Sequence, residues 1–278
     1  MKVFDCVAEL QATLQKHRKK RVGFVPTMGA LHLGHISLVD CARMDCDIVV
    51  VSIFVNPTQF NDKSDLKSYP RTPESDLKML ESAGADYVFM PSVEEVYSSD
   101  DTRRFDFGDI ELVMEGATRP GHFNGVGQVV SRLFDIVKPS RSYFGQKDFQ
   151  QVAVIRSLVK QLGIDVDIVE VPTFRGEDGL ALSSRNALLS AEHRAVAPEI
   201  YRAISETKSL MMSNSPEEVE DIVASKINAT GLLEVIYLNI VDGETLHRIS
   251  DWRMAQTIQL CTAVQAGNVR LIDNINLK

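Results

Sequence analysis

"VGFVPTMGALHLGHISLVDCARMDCDIVVVSIFV", residues 22–55, decides the fold. It opens on the apolar run "VGFVP" (22–26), which reads as a short buried strand. It closes on "DIVVVSIFV" (47–55), a continuous Val- and Ile-rich run of the kind expected for a parallel strand covered on both faces. "GHISLVDCARM" (34–44) reads as the helix between them. Where the first strand gives way to that helix, residues 25–35 hold a proline, two glycines and two histidines, His32 and His35, three residues apart.

The same alternation continues outward. "ESDLKMLESAG" (74–84) reads as a helix with a glycine stop, and "ADYVFMP" (85–91) as a third strand. Val126, Val129, Val130, Leu133, Phe134 and Val137 recur at helical spacing and form one apolar stripe. "RSYFG" (141–145) follows, then a helix carrying Phe149, Val152, Ile155, Val159 and Leu162, and "DVDIVEVPT" (165–173) closes the series as a strand. Strand–helix alternation of this kind predicts an α/β domain, a parallel sheet with helices on both faces. Ligands in such sheets sit beyond the carboxyl ends of the strands.

After about Arg175 the texture changes. Residues 190–212 give a long helix pattern that tolerates Pro198 only with a kink or break. "SPEEVEDIVASKI" (215–227) starts with Ser215 as N-cap, Pro216 at the first helical position and Glu218 to complete a capping box. Three strand-like segments with turn signals between them then complete a smaller C-terminal α+β domain. The expected division is 1–174 and 175–278, with the boundary in the loop "RGEDGLALSSRN" (175–186).

Composition bounds the function. With 278 residues, 44% hydrophobic and 24% charged, the chain can bury a substantial core. A net charge of −8 argues against a broad nucleic-acid footprint, which needs a basic surface. The cluster "HRKKR" (17–21) reads as the solvated end of a first helix. Four cysteines, Cys6, Cys41, Cys46 and Cys261, contain no C-x-x-C pair and read as reduced thiols. The N-terminal residues lack the apolar core of a secretory signal, and "IVVVSIFV" is too short to span a bilayer, so a cytoplasmic location is expected.

The two histidines carry the chemistry. A helix N-terminus presents N–H groups and a partial positive charge, and so attracts phosphate. Gly29 and Gly34 let a ligand approach the backbone, His32 sits in the loop, and His35 falls in the first helical turn. Two ring N–H donors can then converge on a phosphate whose charge grows during reaction. A turn with two surface histidines is the plain alternative, and the combination of glycines, proline and both rings disfavours it.

"HLGH" resembles the HxGH signature shared by the nucleotidyltransferases and class I aminoacyl-tRNA synthetases. The longer "PTMGALHLGH" resembles one family, the pantothenate synthetases (pantoate–β-alanine ligases). "SIFVNPTQF" (52–60), "YPRTPESDL" (69–77), "RPGHFNGV" (119–126), "YFGQKDFQQ" (143–151) and "LALSSRN" (180–186) match it in the same order. The resemblance implies a Rossmann-like domain of the nucleotidyltransferase type, binding ATP and pantoate, with the smaller domain closing over the ATP site. It implies ATP as co-substrate with Mg²⁺, pantoate and β-alanine as the other substrates, and a homodimer, with no nucleic-acid or membrane partner.

The implied reaction first joins ATP and pantoate into pantoyl adenylate, releasing pyrophosphate, and then lets β-alanine displace AMP. Met28, Gly29, Ala30, Leu31, His32, Leu33, Gly34 and His35 would face the nucleotide, with His35 the proton donor. Lys147 supplies a compact cation, and Ser183, Ser184 and Arg185, after Leu182, form the counterpart of the synthetase KMSKS loop. Asp148 would bind the ribose beside Gly145 and Gln146, and Phe174 would lie near the adenine; Asp148 also reads as a helix N-cap. Gln59 and Gln151 would hold pantoate, the first also touching β-alanine, and Asn56, counted with the catalytic residues, would brace the Gln59 loop. Arg119 and His122 stand either at a gate over the pantoate pocket or simply in a turn before a helix. Asp76 is the candidate outer ligand of Mg²⁺, next to a Ser75 where the family often has a second acid.

Two other readings stand beside this one. Another nucleotidyltransferase would share the histidines and lack the paired glutamines. A nucleotide-sensing binding protein would not need His32, His35, Lys147 and Arg185 together. A tRNA-charging enzyme would need an anticodon-binding module and a basic face, and the sequence has neither.

Overall fold

The computed structural model describes residues 1–61, 63–97 and 102–278, with the side chains of 63 and 64 left aside. The chain divides into two compact units. The first comprises Met1–Phe107, Arg119–Gln146 and Gln151–Pro172, and the second Gly108–Thr118, Lys147–Gln150 and Thr173–Lys278.

The first unit is a six-stranded parallel sheet. Its strands are β1 (Lys2–Phe4), β2 (Val22–Thr27), β3 (Ile48–Ile53), β4 (Tyr87–Phe89), β5 (Arg141–Gly145) and β6 (Asp167–Val171), in spatial order β1-β4-β3-β2-β5-β6. β2 and β3 are buried along almost their whole length, which is why their sequences are continuous apolar runs. Helices α1 (Val7–Gln15), α2 (Leu33–Asp45), α3 (Pro73–Ser82), α4 (His122–Val137) and α5 (Phe149–Leu162) connect them. Val25, Val49 and Val51 pack with Leu38, Val39 and Ala42 of α2 and Leu80 of α3 on one face. On the other, the Phe24 ring meets Phe134 of α4 edge-on at 6.3 Å. Gly84, at φ 76°, follows α3 as the stop its sequence predicts.

The strand order positions the site. From β2 the chain steps to β3 and then β4 on one side, and only later crosses to β5 and β6 on the other. β2 and β5 are neighbours, with Gly23 opposite Arg141 and Phe24 opposite Ser142, yet their following segments lead away in opposite directions. A crevice opens beyond the carboxyl ends of strands at such a reversal. The loop with His32 leaves β2 there, and the turn Gln146–Asp148 leaves β5.

The second unit holds an antiparallel sheet of β7 (Leu233–Asp242), β8 (Ile258–Ala266) and β9 (Val269–Asn276). Helices α6 (Glu199–Ser205) and α7 (Pro216–Asn228) pack on it through Ile200, Ile204, Val219, Val223 and Ile227 against Ile240 and Leu260. The long helix pattern of residues 190–212 is broken into helices at Ala191–Val196, Glu199–Ser205 and Thr207–Leu210. Pro198 ends the first, because its ring and missing N–H cannot continue the ladder. The capping box of α7 forms as predicted, with the Ser215 N–H donating to Glu218 Oε2 at 2.7 Å and the Glu218 N–H to Ser215 Oγ at 3.3 Å. No helix among the described residues is long and apolar enough to cross a membrane.

Candidate active site

The loop after β2 turns through two consecutive residues in the left-handed region, Gly29 at φ 80° and Ala30 at φ 49°. For alanine that conformation costs roughly 1 kcal/mol, so neighbouring contacts must hold it. Thr27 ties the start of the loop to β3, its hydroxyl donating to the Ser52 carbonyl at 2.7 Å and accepting the Gly29 N–H at 3.2 Å. Asp76, in the first turn of α3, takes the next two amides. Its Oδ2 accepts from Ala30 N–H at 2.9 Å and its Oδ1 from Leu31 N–H at 2.8 Å.

The histidines follow at once. His32 is the N-cap of α2, in extended backbone, and His35 is the third helical residue. His32 Nδ1 accepts the Gly34 N–H at 3.1 Å, and His35 Nδ1 accepts the His32 N–H at 3.3 Å. This is a capping box built from imidazoles in place of a hydroxyl and a carboxylate. The ring centroids lie 4.0 Å apart. A ring nitrogen that accepts carries no proton, so the bonding pattern assigns the proton of each neutral ring to Nε2. The pair therefore carries its ring protons on Nε2, with both rings held in one fixed frame.

The sequence reading places backbone amides of this loop at a phosphate, and four of them are engaged within the protein. The amides of Ala30 and Leu31 are engaged by Asp76, and those of Gly34 and His35 by His32 Nδ1 and the His32 carbonyl. In this loop the groups suited to meet a phosphate are the imidazole edges. Asp76, the candidate outer ligand of Mg²⁺ in the sequence, is turned into the protein. It is only 1% exposed, and its oxygens accept from two loop amides and from the Thr72 hydroxyl at 3.0 Å. Among the described residues no group of three or more His, Cys, Asp or Glu is placed to hold a metal ion. The donor set does not fit a protein-held metal.

In the same unit the structure gathers Asn56, Gln59, Arg119 and His122. Asn56 caps the turn Pro57–Gln59 and is 1% exposed. Its Nδ2 donates to the Gly125 carbonyl at 3.1 Å and to Gln59 Oε1 at 3.4 Å, while its Oδ1 accepts from the Tyr97 hydroxyl at 3.0 Å. With its amide engaged at both ends, Asn56 holds the turn Pro57–Gln59 in place. Gln59 Nε2 lies 2.9 Å from Met28 Sδ, which joins this turn to the histidine loop. His122 Nδ1–H donates to the Gln59 carbonyl at 2.8 Å, and Arg119 Nη1 lies 3.3 Å from His122 Nε2. His122 is buried at the start of α4, so of its two readings the structure favours the turn, where it pins Gln59. Gly125 allows α4 to approach closely, since a Cβ there would lie 2.5 Å from the Thr58 carbonyl oxygen and 2.7 Å from Gln59 Cα. Gly145, at the end of β5, faces open space: an added Cβ would meet nothing within 4 Å. Gln146 follows it in the turn, and Gln151 lies half-buried on α5.

The second unit carries the remaining candidates. Lys147 Nζ lies 3.2 Å from Asp148 Oδ1. Its carbonyl accepts from Asn274 Nδ2 at 2.9 Å, and Asn274 Oδ1 in turn accepts from the buried Gln259 Nε2 at 2.7 Å. The loop from Phe174 is rooted by Arg175, whose Nη1 and Nη2 grip Asp273 at 2.7 and 2.8 Å while the guanidinium lies 3.7 Å from the Tyr201 ring centre. Burial pushes the Asp273 carboxyl up, and Arg175 pulls against it, keeping a paired charge inside. Leu182 N–H donates to the Phe174 carbonyl at 3.0 Å, leaving the Phe174 ring exposed. Ser183 caps the turn Ser184–Leu188, its Oγ accepting the Arg185 N–H at 3.3 Å. Two of the four thiols are withdrawn from solvent: burial pushes the Cys261 thiol up, and Cys46 is buried against the Tyr143 hydroxyl at 3.4 Å.

Sequence reasoning missed the bracing role of Asp76 and, with it, Tyr97, Gly125, Asn274 and Gln259. One signal existed, the glycine inside the otherwise apolar stripe of α4, since a helical glycine usually marks a close approach.

Comparison with known proteins gives the family. Residues 2–276 match the family described as pantoate-beta-alanine ligase. A pantothenate synthetase of Porphyromonas gingivalis is 55% identical over 277 residues, covering 99% of both chains. One from Bacteroides fragilis is 51% identical, covering 100% of this chain and 99% of the relative. The crystal structure of pantothenate synthetase from Thermus thermophilus superposes with a TM-score of 0.94 at 44% identity, covering 100% of this chain and 99% of the other. A pantoate-beta-alanine ligase from Francisella tularensis, complexed with beta-gamma ATP and beta-alanine, superposes at 0.85 with 37% identity, covering 100% and 98%. The match runs through both units, and the chain belongs to the pantoate–β-alanine ligase family.

Proposed function

We propose that this chain condenses pantoate with β-alanine at the expense of ATP, through a pantoyl-adenylate intermediate. The observation that carries the reading is the imidazole capping box: it fixes two Nε2–H donors at the start of α2, where the strand order opens a crevice, beside a pinned Gln59. A pantoate carboxylate oxygen attacks the α-phosphorus, the bond to the bridging oxygen breaks, and pyrophosphate leaves. The β-alanine nitrogen then attacks the acyl carbon, the bond to AMP breaks, and the nitrogen loses a proton.

Such phosphoryl transfers are accelerated mainly by positioning and by stabilising charge. His32 and His35 donate to phosphoryl oxygens, Lys147 follows the charge toward the leaving group, and Ser183, Ser184 and Arg185 serve the β- and γ-phosphates. Gln59 and Gln151 take the pantoate hydroxyls and carboxylate, with Arg119 behind Gln59, while Asp148 serves the ribose and Phe174 the adenine. Mg²⁺ belongs to the nucleotide and is held by phosphate oxygens. The family resemblance adds a homodimer and a cytoplasmic location to the proposal. Another HxGH transferase is not favoured, because the match to one family runs through the whole chain.

Two results are expected. Under multiple turnover with Mg·ATP, AMP is released only when both pantoate and β-alanine are present, and omitting either stops it. AMP release with unrelated acids, or none with the full set, refutes the reading. Gly145→Ala, whose added Cβ meets no protein atom within 4 Å, leaves the melting temperature within about 2 °C, raises KM for ATP about tenfold, roughly 1.4 kcal/mol, and leaves KM for β-alanine unchanged. An unchanged KM for ATP removes Gly145 from the nucleotide site.

A further inference from the structure

Asp76 is among the most completely engaged carboxylates of the first unit, and its bonds run to the histidine loop and to the start of its own helix. It is 1% exposed, and it accepts from Ala30 N–H, Leu31 N–H and the Thr72 hydroxyl. Thr72 is the N-cap of α3, yet its side chain makes no capping bond and turns to Asp76. Two consecutive amides converging on one anion form the concave arrangement that binds phosphates elsewhere, here closed by an internal carboxylate. Gly29 leaves room for it, since a Cβ there would lie 3.1 Å from Asp76 Oδ2.

We infer that Asp76 is the positioning residue of the histidine loop: it holds Ala30 in its left-handed conformation and thereby sets the aim of the His32 and His35 rings. The claim rests on the function proposed above and departs from a metal-ligand role for this carboxylate. The physical chain is short. Ala30 and Leu31 directly precede His32, whose backbone N–H and ring nitrogen both belong to the imidazole box. A carboxylate accepts on both oxygens, whereas an asparagine in its place sets an NH₂ against one of the two amides, leaving a buried donor unmatched. Released at Ala30, the loop relaxes toward negative φ and rotates His32.

The test measures ATP binding calorimetrically in EDTA, for the parent protein and Asp76→Asn, together with amide exchange at Ala30 and Leu31. The expected result is at least a tenfold loss of affinity without metal, at least tenfold faster exchange at both amides, and an unchanged Mg²⁺ requirement for the residual activity. A loss confined to Mg²⁺-containing buffer, with a higher Mg²⁺ requirement, overturns the inference in favour of a metal ligand. Unchanged affinity in EDTA also overturns it. Should Asp76→Asn fail to fold, Thr72→Val gives the milder version, with a threefold or greater loss in EDTA supporting the claim and no loss refuting it. A parent protein that binds ATP but makes no AMP would fail the proposed function and leave the test of Asp76 standing.

Discussion

Replacing His35 by Asn is expected to slow adenylate formation about a thousandfold, roughly 4 kcal/mol, while the fold stays intact. Histidine at this position does two separable jobs. Its Nδ1 accepts the His32 N–H and closes the capping box, and its Nε2 is the nitrogen proposed above to donate to phosphate. Asparagine places an oxygen about where Nδ1 stands and has nothing at the distal position. His35→Asn therefore keeps the cap and loses the donor. Glutamine reverses the exchange: its amide nitrogen reaches the distal position, and the cap is lost. His35→Gln is expected to retain more activity than His35→Asn, with stability lower by about 1 kcal/mol. Single-turnover measurement of pantoyl adenylate and thermal unfolding check both. A fall of less than about tenfold in His35→Asn takes this ring out of the chemistry.

Gly125→Ala should be nearly as damaging, although it touches no ligand. The added Cβ would stand 2.5 Å from the Thr58 carbonyl oxygen and 2.7 Å from Gln59 Cα, both backbone atoms that cannot turn aside. Either α4 or the Pro57–Gln59 turn must shift by about an ångström, and misplacement on that scale costs on the order of a hundredfold in rate. The bonds from Asn56 to the Gly125 carbonyl and from His122 to the Gln59 carbonyl are strained together. KM for pantoate is expected to rise, ATP affinity to stay within threefold, and stability to fall by about 1–3 kcal/mol. Gly127→Ala is the control. Its Cβ meets the Phe105 and Phe107 rings, which are side chains and can move, so it should cost stability with little change in KM. Equal pantoate KM in the two variants contradicts the role given to Gly125.

The strand–helix frame was legible because buried parallel strands leave continuous apolar runs, and β2, β3 and β5 lie where "VGFVP", "DIVVVSIFV" and "RSYFG" place them. β1 was not legible: three residues are too few to show a period. Nor was the inclusion of Gly108–Thr118 and Lys147–Gln150 in the second unit, which follows from tertiary packing and not from local pattern. Gln150 shows how: its side chain donates to the Ile110 and Val113 carbonyls, 40 and 37 residues away.

The histidine loop was legible as a glycine-containing turn between β2 and α2, yet its wiring was not. Capping rules look for Ser, Thr, Asp or Asn, so two ring nitrogens serving as caps leave no familiar signature. Asp76 reads in sequence as an acid in the first turn of a helix and, by the resemblance, as an outer Mg²⁺ ligand, while its partners in the histidine loop lie 46 and 45 residues away. Asn56 and Gln59 were legible as a pair, while Tyr97, His122 and Gly125, which fix them, come from distant stretches of the chain.

Long-range proton–nitrogen NMR of the protein with ¹⁵N-labelled histidine addresses the central claim most directly. In the absence of nucleotide, His32 and His35 should both show a proton on Nε2 and a bare Nδ1. Saturating Mg·ATP should move both Nε2 resonances and leave the Nδ1 resonances in place. A ring protonated on Nδ1, or Nε2 signals indifferent to bound nucleotide, would contradict the account.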